Sequence, residues 1–241
     1  MTYNKLIEGF RLFKQDYFDS GKSEFYQDLV KHGQKPDTLV IACSDSRIDP
    51  AILTNGDPGE FFAIRNVAAL VPPYNCGESL QGTSSAIEYA VRFLNVKHII
   101  VFGHAKCGGV DALASGNYHA PDQKKFEFME RWLNIGLNAK QQVFKALEVA
   151  PMDQRIRALE QATIVNSMTN LLSFPWINER CARQDIEIHG WYFDMEEGAL
   201  LEYDQNQHCF SNIDDGASKA RILEDKPSLS AFIENYAHKC S

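Results

Sequence analysis

The chain has 241 residues, 44% of them apolar, and a formal net charge of −8 at pH 7. This size fits one α/β domain, so a single domain over residues 1–241 is expected. The acidic balance argues against nucleic acid and anionic membranes as partners. The first residues contain no uninterrupted apolar stretch, and no segment approaches the roughly 20 apolar residues of a membrane span. We therefore expect a cytoplasmic protein that is not inserted in a membrane.

The first third of the chain contains one helical region and two strands. Apolar residues at helical spacing, including Leu6, Phe10 and Phe13, predict an N-terminal helical arm over residues 1–33. The apolar run 38–43 predicts a strand that is buried on both faces, and residues 60–65 predict a second strand. The core is expected to begin at residue 34.

Helices and strands then alternate along the chain. A helix is expected at 82–94, a strand at 97–103, a short helix from about residue 109 and a helical region at 121–172 that is interrupted near Pro151. A last strand at 186–193 turns and returns at 199–203. This alternation predicts an α/β fold with a mostly parallel central sheet flanked by helices. Residues 206–241 are expected to form a polar C-terminal extension with one possible helix near 229–236.

Chemically reactive residues follow two of the predicted strands. Cys43 ends the first, and His104 and Cys107 follow the later strand in a glycine-rich turn. Ligands of open α/β sheets bind at the carboxyl ends of the strands, so these clusters are expected to meet. Two thiols and an imidazole leave one open position on a tetrahedral zinc ion. Taken alone, the His104–Cys107 pair is more simply explained as two side chains packed in the core. The presence of reactive residues at the ends of both strands favours a metal site.

Asp45 and Arg47 stand beside the first cysteine. A carboxylate at this spacing either accepts a hydrogen bond from a zinc-bound hydroxide or occupies the open position on zinc. Arg47 is placed to form a charge-assisted pair with Asp45. An ordinary surface ion pair remains an alternative that spacing alone does not exclude.

Three motifs at these positions resemble the signature of the β-carbonic anhydrases. They are CSDSR at 43–47, RNVA at 65–68 and GHAKCGGV at 103–110, and the similarity continues through PPY at 72–74, GTSSAIEYAV at 82–91 and HGWYF at 189–193. The resemblance implies a single catalytic domain that reversibly hydrates CO2 to bicarbonate and a proton. It implies one Zn2+ per chain, held by Cys43, His104 and Cys107, with an Asp45–Arg47 dyad that orients a zinc-bound hydroxide.

The resemblance also implies a substrate pocket and a partner. Gln34 would hydrogen-bond bicarbonate, Phe62 and Tyr89 would line the pocket, the latter from the neighbouring subunit, and backbone amides near Gly108 would steady substrate oxygens. The family forms dimers that often pair into tetramers, so self-association is expected. The N-terminal helices would then hold a second copy, or would simply cover the sheet.

One departure from the family pattern concerns regulation. One branch of the family has a tryptophan and a tyrosine at a non-catalytic bicarbonate site, where this chain has Val40 and Phe193. The sequence resembles the branch without that site. We therefore expect no bicarbonate-driven switch and an open metal site at neutral pH.

Two other functions remain open at this point. A cysteine hydrolase could use Cys43 activated by His104, although Cys107 and Asp45 would then have no clear role. A structural zinc or redox-sensing module could use Asp45 as a fourth protein ligand, which would close the site.

Overall fold

One sheet organises the chain in the computed structural model, which describes residues 2–19, 23–75, 77, 81–215 and 227–240. Its six strands are β1 (Thr38–Cys43), β2 (Phe61–Asn66), β3 (His98–His104), β4 (Glu187–Asp194), β5 (Ala199–Asp204) and β6 (Cys209–Asn212). Their spatial order is β2-β1-β3-β4-β5-β6. The first four in this order are parallel, whereas β5 and β6 are antiparallel additions. The predicted mostly parallel α/β sheet is confirmed.

Helices lie between and around these strands. They are α1 (Tyr3–Lys14), α2 (Ser23–His32), α3 (Pro50–Thr54), α4 (Gly82–Glu88), α5 (Gly108–Ser115), α6 (Met129–Leu133), α7 (Leu137–Ala146), α8 (Met152–Leu171), α9 (Pro175–Ala182) and α10 (Leu229–Cys240). Single π-helical turns at Gln15–Asp19 and Tyr89–Phe93 continue α1 and α4. The predicted helix at 82–94 is therefore α4 together with its π turn.

The long helix α8 packs closely on the middle of the sheet. A Cβ atom at Gly103 of β3 would lie 2.7 Å from the side chain of Ile164 on α8, so a larger residue would require that side chain to move. The same packing brings the buried side chain of Glu160 on α8 next to the turn that follows β3. The helix thus contributes to the site at the end of that strand.

The opposite face of the sheet has a smaller apolar cluster. Val40, Ala42, Ile100 and Phe102 are buried there, and Phe193 is among the half-buried residues that pack against them. Val40 and Phe193, the two positions at which the sequence departs from part of the family that it resembles, therefore both belong to this apolar layer.

The predicted N-terminal arm is helical and stands apart from the core. Helix α1 has no buried residue, and Tyr3, Leu6 and Phe10 are 76%, 58% and 63% exposed. Aromatic rings of the arm contact one another, as in the Phe13–Tyr26 pair with centroids 5.6 Å apart, but no residue of α1 is buried.

The C-terminal region contributes more structure than its polar composition suggests. Strand β6 pairs with β5 and extends the sheet beyond residue 205, and the helix expected near 229–236 is present as α10. That helix buries Leu229, Phe232 and Ile233 in the main core. Residues 216–226 and 241 of the predicted extension lie outside the described residues. The four-residue strand β6 was missed because CFSN has no apolar alternation long enough to indicate a strand.

Candidate metal centre

Three potential metal ligands meet at the carboxyl ends of the two central strands. Cys43 is the last residue of β1, His104 is the last residue of β3, and Cys107 caps the start of α5. All three are buried, and their donor atoms lie within 4.8 Å of one another. The two Sγ atoms are 3.9 Å apart. Two thiolates on one tetrahedral zinc, at Zn–S distances of about 2.3 Å, would be separated by about 3.8 Å.

The ring of His104 is oriented for metal binding. Its Nδ1 lies 2.8 Å from the carbonyl oxygen of Ala105, so Nδ1–H donates there and Nε2 keeps its lone pair. That Nε2 is buried and has no hydrogen-bond partner among the described residues. A buried polar atom without a hydrogen-bond partner is unfavourable in a protein that binds no metal. In a metal site, by contrast, such an atom is expected, because its lone pair binds the ion. The donor set therefore fits zinc.

The two thiols influence each other's ionisation. A hydrogen bond from Cys107 lowers the pKa of the Cys43 thiol to about 4. The same hydrogen bond, together with burial, raises the pKa of Cys107 well above its ordinary value. The hydrogen bond between the two sulfurs thus favours ionisation of Cys43 before Cys107. A divalent cation would displace the proton that Cys107 retains and allow both sulfurs to be thiolates.

Asp45 and Arg47 form a complete charge-assisted pair beside this cluster. The Asp45 Oδ1 accepts hydrogen bonds from the backbone N–H and the Nε of Arg47 at 2.9 and 3.0 Å, and Oδ2 accepts one from Nη2 at 2.7 Å. These hydrogen bonds from Arg47 hold the pKa of Asp45 well below its usual range. The Asp45 Oδ2 lies 3.9 Å from the Nε2 of His104. An ionised carboxylate therefore faces the ligand cluster.

Arg65 was not singled out from the sequence, yet it organises the loop that follows β1. Its Nε donates to the carbonyl of Cys43 at 3.1 Å, and its Nη2 donates to the carbonyls of Asp45 and Ile48 at 2.7 and 2.6 Å. Its Nη1 forms an ion pair with Asp49 at 3.0 Å. The RNVA motif at 65–68 contained the signal, but only the fold shows which groups the guanidinium contacts.

Glu160 was also missed, and no sequence signal marks it. Its Oε1 accepts a hydrogen bond from the backbone N–H of Cys107 at 3.1 Å, and its Oε2 accepts one from the Tyr192 hydroxyl at 2.8 Å. Burial raises the pKa of this carboxyl above its ordinary value. Glu160 therefore supports the metal centre from behind one of its ligands.

Gly108 is the one predicted pocket residue that lies at this centre within the same chain. It follows Cys107 directly and begins α5. A Cβ atom built on Gly108 would meet nothing within 4 Å, so the backbone here faces open space.

Gln34, Phe62 and Tyr89 are not brought to the candidate metal ligands of their own chain. Gln34 is exposed in the loop before β1, a strand whose six residues span about 17 Å to Cys43. Phe62 pairs with Leu39, four residues before Cys43, which corresponds to about 13 Å along the strand. The rings of Phe62 and Tyr89 contact each other, with centroids 5.7 Å apart. The three residues thus lie toward the amino end of the sheet.

Comparison with known proteins identifies similar chains. The carbonic anhydrase family profile matches residues 38–200. A carbonic anhydrase of Synechocystis sp. is 35% identical over 206 residues, which cover 86% of this chain and 73% of that protein. A carbonic anhydrase of Synechococcus elongatus is 32% identical over 211 residues, with coverages of 88% and 75%.

Solved structures give the same result. The β-carbonic anhydrase CcaA superimposes with a TM-score of 0.78 at 35% identity and covers 87% of this chain and 98% of its own. A tetrameric β-carbonic anhydrase of Sordaria macrospora has a TM-score of 0.66 at 27% identity, with coverages of 86% and 94%. Within the part of the chain that the structure describes, no helix combines the length and apolar character needed to cross a bilayer.

Proposed function

We propose that Cys43, His104 and Cys107 hold the Zn2+ of this chain, which belongs to the β-carbonic anhydrase family. Members of this family are zinc-dependent, and the chain is a zinc-dependent carbonic anhydrase. The observation that carries this assignment is the convergence of three buried donor atoms within 4.8 Å. Their chemistry, two thiols and one imidazole with an unpaired Nε2, leaves a fourth tetrahedral position for water.

Bound zinc would lower the pKa of a water ligand toward neutrality and so supply the hydroxide that adds to CO2. The role of Asp45 follows from its charge. Because its pKa is held low, the carboxylate can only accept hydrogen bonds at neutral pH. It accepts the hydrogen of the attacking oxygen and thereby directs a lone pair of that oxygen toward CO2.

Arg47 fixes the direction in which Asp45 points. Its guanidinium contacts both carboxylate oxygens, and Nη2 also donates to the carbonyl of Lys106 at 2.9 Å. This tie to the turn between the two other ligands keeps Asp45 beside the cluster. Because Arg47 occupies both oxygens, the arrangement favours an open fourth position at neutral pH over a site closed by Asp45.

The substrate pocket is completed by a second copy of the chain in this proposal. Gln34, Phe62 and Tyr89 lie far along the sheet from the ligands of their own chain, so they would line the metal centre of a neighbouring subunit. The contact between the Phe62 and Tyr89 rings supports their acting as one wall. Backbone amides near Gly108 would contact the substrate oxygens from the ligand side.

The exposed apolar residues of the N-terminal arm support self-association. Helix α1 would pack on a second copy of the chain, which would cover Leu6 and Phe10. The resulting dimer could pair into a tetramer. A cytoplasmic location stays a prediction, since relatives include chloroplast and mitochondrial proteins of Arabidopsis thaliana. With Val40 and Phe193 in an apolar layer, we also propose that no non-catalytic bicarbonate site exists.

Metal content and stopped-flow CO2 hydration, measured on the same samples, test the assignment. After dialysis against a weak chelator, we expect one zinc per chain, activity that rises with pH above neutrality, and loss of both zinc and activity in Cys43→Ser. Cys209→Ser, which alters a half-buried cysteine outside the cluster, is the matched control and should change neither. Full activity after zinc removal would indicate a thiol enzyme instead. Bound zinc without CO2 hydration would indicate a structural site.

A further inference from the structure

A second group of potential metal ligands lies at the amino end of β3 and β4. His98, Glu187 and His189 each place one donor atom within 4.8 Å of the other two. The six residue steps from His98 to His104 along β3 correspond to about 20 Å. This cluster is therefore separate from the Cys43–His104–Cys107 centre.

The register of the sheet explains why the three side chains converge. His98 pairs directly with Glu187 across β3 and β4. His189 follows two residues after Glu187, so both project from the same face of β4. The arrangement is thus fixed by paired backbone rather than by a loop.

The distances between the donor atoms match one face of a coordination tetrahedron. The His98 Nδ1 lies 3.3 Å from the His189 Nε2, and the Glu187 Oε2 lies 3.6 and 3.5 Å from these two nitrogens. Ligands about 2.0–2.1 Å from a tetrahedral zinc are separated by about 3.3–3.4 Å. All three observed distances are close to that value.

Glu202 of β5 supplies the outer contact that metal-binding histidines usually have. Its Oε1 lies 3.2 Å from the Nδ1 of His189. A carboxylate only accepts, so Nδ1 carries the hydrogen, and the Nε2 of the neutral ring presents a lone pair to His98 and Glu187. This carboxylate–histidine relay sets the tautomer and raises the basicity of a ligand nitrogen.

The cluster is accessible to an ion. His98 Nδ1 and His189 Nε2 form a hydrogen bond at 3.3 Å, and Glu187 Oε2 lies 3.5 Å from that Nε2, so a divalent cation would displace the proton that these groups share. The side chains of His98 and Glu187 are 42% and 39% exposed, so an ion and its water can enter. His189 and Glu202 are 16% and 18% exposed and therefore held in place.

We propose that His98, Glu187 and His189 form a second site for a divalent transition metal of the zinc type, with Glu202 as a positioning residue. Two imidazoles and one carboxylate suit Zn2+, and the fourth position would hold water. The ion would join β3 and β4 at the end of the sheet opposite the Cys43–His104–Cys107 centre.

Metal stoichiometry of the purified holoenzyme tests this site. The enzyme is first dialysed against a weak chelator that removes exposed metal but leaves one zinc per chain, and then equilibrated with Zn2+ alone. Zinc per chain is measured by mass spectrometry together with protein concentration. We expect a second equivalent that binds with micromolar affinity or tighter. The proposal is supported if His189→Gln and His98→Gln each lose this second equivalent and retain the first.

Two further variants separate a built site from surface binding. Glu202→Gln should weaken the second equivalent by about 10- to 100-fold without abolishing it. His119→Gln removes an exposed histidine elsewhere and should leave both equivalents unchanged. One equivalent at saturation would mean that a proton on His189 satisfies the cluster, and the proposal would be overturned. A second equivalent that survives His189→Gln would overturn it as well.

Discussion

The carboxyl group of Glu160 accepts a hydrogen bond at 3.1 Å from the backbone N–H of Cys107, a proposed zinc ligand. Its other oxygen accepts the Tyr192 hydroxyl at 2.8 Å. Glu160 is 4% exposed and Tyr192 is fully buried, so both hydrogen bonds are made by buried groups. Two buried donors, one of them on a ligand residue, therefore depend on one side chain of α8.

Glu160→Ala should destabilise the protein by about 2–5 kcal/mol, because two buried donors lose their acceptor. Glu160→Gln keeps an acceptor oxygen for the Cys107 N–H and should cost less. Zinc affinity should fall by about 10- to 100-fold in the alanine variant. Urea unfolding and competition with a chelator measure these effects. Glu179→Ala, an exposed glutamate of α9, is the control, and an unchanged unfolding midpoint in Glu160→Ala would refute the role.

Arg65→Lys should lower both stability and activity although it preserves the charge. The guanidinium donates to three backbone carbonyls and to Asp49, and a single ammonium cannot reproduce that planar set of donors. We expect the free energy of unfolding to fall by about 1–3 kcal/mol, because the substitution removes hydrogen bonds from a charged, partly exposed group. Denaturant unfolding and CO2 hydration are measured together. Wild-type behaviour of Arg65→Lys would show that charge alone is needed.

Arg47→Ala should reduce kcat/KM for CO2 hydration by about 100-fold, because the carboxylate of Asp45 is no longer held in direction. Zinc content should stay at one per chain, since Arg47 donates no ligand. Arg183→Ala, which removes an exposed arginine with two acidic neighbours, is the matched control. If Arg47→Ala lost zinc in proportion to activity, the dyad would be a structural element rather than an orienting one.

The pH dependence of the Arg47→Ala variant tests the charge state of Asp45. Arg47 lowers the pKa of Asp45, and a lowered pKa contributes stability above the unfolded value that is lost as pH falls through the folded value. The stability difference between wild type and Arg47→Ala should therefore be constant from about pH 6 to 9 and shrink below about pH 4. The midpoint of the pH–rate profile should be the same in both, because Asp45 does not titrate there. A shifted midpoint would assign that titration to Asp45.

The sequence predicted those parts of the site that lie within short strand-end motifs. Cys43 and His104 each end a buried strand, and parallel pairing of β1 and β3 brings such ends together without further information. Glu160 could not be found in this way, because it meets Cys107 only through the packing of α8 on the sheet. Strand β6 was missed for a related reason, since its pairing with β5 gives it order that its composition does not indicate. Local patterns thus predict the candidate ligands, and long-range packing determines what supports them.

The proposed exchange of pocket residues between subunits predicts complementation between two impaired variants. Cys43→Ser removes a zinc ligand but leaves Gln34, whereas Gln34→Ala leaves the ligands intact. Alone, the first should be inactive and the second should lose about 100-fold in rate, as for other substrate-contacting donors. A heterodimer, co-expressed with two tags and purified through both, then contains one site with all ligands and an intact Gln34 from the other chain.

Such heterodimers should recover about half of the wild-type rate per dimer, because one of two symmetric sites is complete. Stopped-flow CO2 hydration of the doubly purified species provides the measurement, and zinc content after dialysis against a weak chelator should be one per dimer. A heterodimer that carries both substitutions on the same chain, paired with a wild-type chain, is the matched control. In that pair the intact ligands of the wild-type chain meet the Gln34→Ala substitution of the other chain, so the rate should stay low. A rate near half of wild type in this control, with a low rate in the mixed pair, would place Gln34 in the site of its own chain, despite the length of β1 between Gln34 and Cys43.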